Sequence, residues 1–249
     1  MKPSIPILLY HHVAPEGPIS PAAFEAQLRF LQERGWTALA IDDVIRMVGG
    51  QKEVPARAFA LTFDDGYRDN WTEAFPVLQR LSMRAVIYLV TERIGTPEFL
   101  TWPDIEAMAD SGLVTFGSHT HTHRHFIRGE RYQDLEQELG QSKALIEERL
   151  GKLCQDLAWP WGDYETGWLP LVKHIGYRSA ATVSSGANTL GKDPYALKRI
   201  PVRRPDLDWF RRRLFRNQWA VPAALLGPFN GLDRRFKVWW HHETPYAHG

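Results

Sequence analysis

Short apolar runs alternate with stretches of helical periodicity along most of this chain. Ile7 to His11, Ala58 to Phe63, Ala85 to Val90, Leu113 to Phe116, Asp156 to Trp159, Ser179 to Val183 and Leu197 to Val202 have the length and bounding residues of strands. Between them, Phe24, Leu28 and Leu31 recur at i, i+4 and i+7, the spacing of one helix face. Tyr132, Leu135, Leu139, Ile146 and Leu150 mark a longer helix that Gly151 should end. Strands separated by helices form βα units, and βα units build a parallel sheet. About seven strands with intervening helices predict an α/β fold, a (β/α) barrel that is incomplete or distorted. In such barrels the chemistry sits at the carboxyl ends of the strands.

Composition narrows the picture. A chain of 249 residues with 44% hydrophobic residues can bury a substantial core, and α/β barrels of this size are ordinary single domains. A net charge of +1 argues against a nucleic-acid partner. The single Cys154 excludes an internal disulfide framework and fits a reducing compartment. The opening residues 1–10 carry too short an apolar run for a signal peptide or membrane span, so the expected location is the cytoplasm. From about Pro205 the composition changes: Trp209, Phe210, Phe215, Trp219, Phe229, Phe236, Trp239 and Trp240 interleave with Arg203, Arg204, Arg211, Arg212, Arg213 and Arg216. The expected organisation is a catalytic barrel over 1–205 and an Arg- and aromatic-rich extension over 206–249 that packs on it. Such a composition also suits peripheral contact with anionic headgroups at the inner membrane face.

Four clusters could carry chemistry. Thr62-Phe63-Asp64-Asp65-Gly66 places two carboxylates at the tip of an apolar run. Neighbouring carboxylates repel, so the pair implies a cation or a shared proton nearby, although Asp-Asp-Gly alone also suits a turn. Gly117 to His125 holds four imidazoles, and one carboxylate with two imidazoles is a common ligand set for a catalytic divalent ion. Tyr10-His11-His12 ends the first strand, and Trp159-Pro160-Trp161-Gly162 follows another. Asp69-Asn70 reads as a helix N-cap, and Trp71 as a core residue.

These residues carry a resemblance. Thr62 to Gly66 and His119-Thr120-x-x-His123 resemble the first two motifs of the polysaccharide deacetylases (carbohydrate esterase family 4, the NodB-homology domain). Ile7-Leu8-Leu9-Tyr10-His11 is similar to the opening strand of a permuted subgroup that includes the biofilm poly-N-acetylglucosamine deacetylases. The resemblance spans roughly residues 5–205 and implies the same barrel. It implies that Asp65, His119 and His123 hold Zn2+, or Ni2+ or Co2+ in its place. It implies that Asp64 is the general base and that His11 protonates the leaving amine. His12 is the poorer candidate, because successive strand residues point opposite ways. Trp159-Pro160-Trp161 looks like the third motif, with the Trp161 N–H facing an oxyanion and the Trp161 ring, beside Trp159 and Pro160, walling a substrate groove.

Two departures stand out. The third motif lacks the arginine that normally contacts the base, and the fourth motif is absent from Ser179 to Val183. The expected activity is removal of the N-acetyl group from an N-acetylated amino sugar in a glycan or a lipid-linked glycan. Other readings are a same-fold amidohydrolase acting on a non-sugar amide, and a glycan-binding scaffold without turnover.

Overall fold

The computed structural model describes residues 4–126, 132–186 and 188–218. Eight strands form one parallel sheet: β1 (Ile7–Tyr10), β2 (Thr37–Leu39), β3 (Ala58–Phe63), β4 (Ala85–Leu89), β5 (Val114–Ser118), β6 (Asp156–Ala158), β7 (Ser179–Ala181) and β8 (Ile200–Pro201). The path runs β7-β6-β5-β4-β3-β1-β8. β2 pairs with Ala58 to Ala60 of β3, while β4 pairs further along with Thr62 and Phe63. Just before β8, Leu197 bridges Ala181 of β7, and Ile200 and Pro201 then pair with β1. The last strand segment therefore joins the two ends of the sheet, making a distorted (β/α) barrel.

Burial on both faces explains why the strands read as continuous apolar runs. Leu8, Tyr10, Phe59, Leu61, Phe63, Ile87, Leu89, Phe116 and Ile200 pack outward in the larger core, under the helices. Ile7, Ala58, Ala60, Val86, Tyr88, Ala158, Ala181 and Leu197 belong to a second core on the inner face. Its four alanines leave room there for polar side chains. Seven α-helices are described: α1 (Pro21–Glu33), α2 (Ile41–Val48), α3 (Phe75–Leu81), α4 (Trp102–Asp110), α5 (Tyr132–Leu150), α6 (Leu169–Ile175) and α7 (Leu207–Gln218). The Ser20 hydroxyl caps α1 by accepting from the Ala23 amide.

Three local expectations are corrected. β2 was not anticipated, because a three-residue strand shows no periodicity. The Leu197 to Val202 run is a strand only at Ile200–Pro201, because the chain there crosses from β7 to β1. Asp69 and Asn70 do not cap a helix; a π-helical turn over Asn70–Ala74 leads into α3 without a side-chain cap. Their side chains instead tie down the residues after β1. The Asp69 carboxylate accepts from the Val13 amide, and the Asn70 side-chain amide donates to the His11 carbonyl. Trp71 stacks on Phe75, with ring centroids 5.2 Å apart, against the larger core.

In α7, Phe210 and Leu214 are buried, and Phe210 meets Phe30 of α1 edge-on at 6.3 Å. Arg211, Arg212, Phe215 and Arg216 face outward. The rest of the Arg- and aromatic-rich extension, with Trp219, Phe229, Phe236, Trp239 and Trp240, lies outside the described residues. Among the described residues no helix is long and apolar enough to cross a membrane.

Gly117 marks the tightest approach in the sheet. A Cβ there would sit 2.6 Å from the Asp156 carbonyl and 2.7 Å from the Tyr88 ring. We expect Gly117→Ala to lower the unfolding free energy by about 1–3 kcal/mol through overpacking. Urea denaturation of the two proteins measures it.

Candidate metal centre and active site

Strand alternation explains where Asp64 points. Ala58, Ala60 and Thr62 alternate with the outward Phe59, Leu61 and Phe63, so the next residue faces inward at the rim. The Asp64 amide continues the ladder by donating to the Tyr10 carbonyl at 3.0 Å. Strict alternation would send Asp65 outward. Instead its φ is 72°, which turns the chain, and Gly66 follows at φ 78°. Only glycine fits position 66, where a Cβ would stand 2.8 Å from a Leu89 methyl. A left-handed non-glycine residue costs about 1–3 kcal/mol and persists where its surroundings over-determine it. Among the described residues the non-glycine positive-φ positions are Asp65, Ser82, Thr120, His123 and Trp161. All but Ser82 lie at this rim.

The turn brings Asp65 to two imidazoles. Its Oδ1 stands 3.5 Å from His119 Nε2 and 3.4 Å from His123 Nε2. This oxygen is buried and has no hydrogen-bond partner. His119 Nδ1 lies 2.8 Å from the Ala158 carbonyl, which can only accept, so Nδ1 carries the proton and Nε2 presents a lone pair. Burial, with His119 beside it, lowers the His123 pKa to about 4, so that ring is neutral at physiological pH. A buried, unpartnered carboxylate oxygen facing two imidazole nitrogens is the donor set of a divalent cation. The spacing agrees, because tetrahedral ligands bonded at about 2.0–2.1 Å stand about 3.4 Å apart. Asp65, His119 and His123 thus form a cluster compatible with a divalent ion.

Asp64 has a partner that the motif reading missed. Arg199, fully buried just before β8, donates through its two terminal nitrogens to Oδ1 at 2.6 Å and Oδ2 at 2.7 Å. Its Nε–H donates to the Thr182 carbonyl at 2.8 Å, and its guanidinium lies 5.6 Å from the centre of the Tyr88 ring. Burial alone would raise the Asp64 pKa, but Arg199 and then His119 outweigh it and lower it to about 2. The arginine missing from the third motif is replaced in space by one from the far end of the barrel sequence. Two basic residues, Lys198 and Arg199, interrupting the expected strand Leu197 to Val202 were the available signal that a charge is drawn inward there.

His11 and His12 part as alternation requires. His11 follows the inward positions of β1, and Asp65, Asp64, Arg199 and His119 all act on it electrostatically. Burial lowers its pKa, with the two aspartates opposing that effect. His12 is held elsewhere: its Nδ1–H donates to Asp69 at 2.6 Å, and its ring stacks on Tyr67 at 3.5 Å. Tyr67 in turn stacks on Phe99 at 5.0 Å. Across the site, the Trp161 ring stands 5.4 Å from the His123 ring. His125 pairs with Asp163 at 3.2 Å near that tryptophan and is not part of the cluster. His121 also points away, its Nδ1 meeting the Thr91 hydroxyl at 2.9 Å.

Trp159 and Pro160 do not wall a groove. Trp159 is fully buried, stacked on Tyr164 at 5.8 Å, and Pro160 is buried too. The reason is again alternation, because Trp159 continues β6 outward beside Leu157, into the core under the helices.

Residues 51–180 match the family described as polysaccharide deacetylase. YxkH of Bacillus subtilis is 30% identical over 204 residues, covering 81% of this chain and 72% of that protein. The poly-beta-1,6-N-acetyl-D-glucosamine N-deacetylase of Escherichia coli is 23% identical, over 84% of this chain but only 37% of its own length. Among solved structures, IcaB from Ammonifex degensii superposes with a TM-score of 0.80 at 23% identity, covering 87% of this chain and 98% of that one. With the first two sequence motifs converging on one rim and the family match spanning more than half the residues, this chain belongs to the polysaccharide deacetylase family.

Proposed function

We propose that this protein is a metal-dependent N-deacetylase that hydrolyses the acetamide of an N-acetylated amino sugar in a glycan, releasing acetate and a free amine. One observation carries the reading: a buried carboxylate, Asp64, clamped by Arg199 beside Asp65, whose Oδ1 has no hydrogen-bond partner and faces His119 and His123. The E. coli relative is named for N-deacetylation of poly-beta-1,6-N-acetyl-D-glucosamine, which makes oligomers of N-acetylglucosamine the first substrates to try.

Asp65, His119 and His123 would hold the ion, with zinc the first choice for an N/O set. When bound there, such an ion supplies Lewis acidity, which favours ionisation of a water and polarises an acetyl carbonyl. The chain's own residues supply the rest. Asp64 accepts the proton of the attacking water. Its Oδ2 lies 3.8 Å from His119 Nε2, so it looks onto the cluster. Arg199 fixes the carboxylate's direction and keeps it ionised, at the expense of some basicity. His11 gives its proton to the departing nitrogen; it faces Asp65 and Asp64, whose charges favour its protonated form against the effect of burial. The Trp161 ring borders the site on the His123 side and gives a sugar ring an apolar face to rest on. The glycan-binding alternative rests on the missing third-motif arginine and the absent fourth motif; Arg199 supplies the first of these contacts.

The reading is tested by acetate release from poly-beta-1,6-linked N-acetylglucosamine oligomers, before and after chelation and on zinc readdition. Small amides and cyclic ureides serve as competing substrates, and hydrolysis of those alone would favour the amidohydrolase reading. Elemental analysis should find one divalent ion per chain, lost in the His119→Ala, His123→Ala double variant. Stoichiometric metal in that variant would overturn the ligand assignment. Asp64→Asn keeps the shape but cannot accept the proton, so in protein that is also less stable for want of the Arg199 counter-charge, turnover should fall by about 10²–10⁴ with metal content unchanged. Near-native turnover would remove Asp64 as the base. His11→Ala should slow acetamide hydrolysis far more than hydrolysis of activated aryl acetates, whose leaving groups need little acid. Equal losses on both substrates, or a larger loss for His12→Ala, would reject His11 as the acid.

A further inference from the structure

A carboxylate that no motif accounts for lies behind the histidine loop. α5 buries Leu135, Leu139 and Ile146, but the same side of the helix also buries Glu138 and Ser142, one turn apart. A buried carboxylate on a helix face is costly unless its oxygens are answered. Glu138 Oε2 accepts the backbone amides of His121 at 3.0 Å and Thr122 at 2.9 Å. Its Oε1 accepts the Thr122 hydroxyl at 2.7 Å. All three donors belong to His121 and Thr122, two of the three residues between His119 and His123.

The neighbouring bonds complete a pattern. The Thr120 amide donates to the Ser118 hydroxyl, and the His123 amide to the Thr120 hydroxyl. The His119 amide donates to the Leu89 carbonyl. Ser142 Oγ–H donates to the Leu139 carbonyl, which leaves the Ser118 hydroxyl to donate to Ser142 at 2.5 Å. Every backbone N–H from 119 to 123 is therefore taken, and Glu138 holds two of the five, those of His121 and Thr122. This segment also contains two left-handed residues, Thr120 and His123. Strain of that kind relaxes unless something holds it.

We infer that Glu138 is the positioning residue of this centre: it clamps the 120–123 loop in its strained form and so presents His123 to the ion. The inference rests on the proposed metal centre, but it concerns the shape of the loop, which the clamp sets before any ion binds. Partners of this kind behind metal ligands change affinity by about 10–100-fold.

The test uses the full chain, stripped with chelator, as wild type, Glu138→Gln, Glu138→Ala and the exposed control Glu136→Gln. Zinc affinity is measured by competition with a chromophoric chelator, and amide hydrogen exchange is followed in the zinc-free proteins. Glu138→Ala should weaken zinc binding by about 10–100-fold, with Glu138→Gln intermediate because its amide oxygen still accepts, and Glu136→Gln unchanged. In the zinc-free variants, exchange at His121 and Thr122 should rise while the strand amides keep wild-type protection. If Glu138→Ala proves too unstable to purify, Glu138→Gln carries both measurements. A zinc affinity within twofold of wild type overturns the inference. So does accelerated exchange throughout the barrel, the mark of a merely structural residue. Failure of the wild type to bind zinc would sink the metal centre, while the exchange profile would still decide whether Glu138 holds the loop.

Discussion

The site depends first on the buried ion pair between Asp64 and Arg199. Removing two charges from water costs several kcal/mol per ion, and only close, well-satisfied geometry offsets it. Here both carboxylate oxygens accept from the guanidinium, and its Nε–H meets the Thr182 carbonyl. The alanines of the inner face create the space, and Tyr88 lines it. Losing either partner would leave an uncompensated buried charge, with a penalty of about 3–5 kcal/mol. The same bonds that keep the pair tolerable also aim Asp64 at the centre. Fold stability and the proposed base chemistry thus share one interaction.

Around that pair the backbone is bent against its preferences. Asp64 follows the inward rule of its strand, and Asp65 breaks the rule through a left-handed turn. Two adjacent carboxylates therefore meet different surroundings on one rim. One is neutralised by an arginine, and the other is left open toward two imidazoles. In the proposed function that divergence is what would let one aspartate accept a proton and the other hold an ion.

Much of this was legible in the sequence, for identifiable reasons. Strand runs buried on both faces are long and apolar, so β1, β3 and β4 stand out. The Asp64-Asp65 and His119–His123 clusters combine residue types rarely grouped without a cation. What stayed hidden is spatial. The pairing of Asp64 with Arg199 spans 135 positions, and although Arg199 interrupts an apolar strand, nothing local names Asp64 as its partner. Glu138 sits in a helical pattern where a glutamate is unremarkable until its buried side is known. Trp159 looked like a groove residue because its neighbours match a motif, whereas alternation along β6 turns it into the core.

The join at β8 has a consequence for how the protein comes to life. Residues 11, 64–65 and 119–123 all emerge from a ribosome well before Arg199 does. Until the Leu197 to Pro201 segment slots between β7 and β1, Asp64 lacks its counter-charge and the rim cannot settle. Nascent chains and fragments ending short of that segment would hold every motif residue yet lack a finished centre. Competence would then arrive in one late step, when long-range closure completes the barrel, and not gradually as the motifs appear.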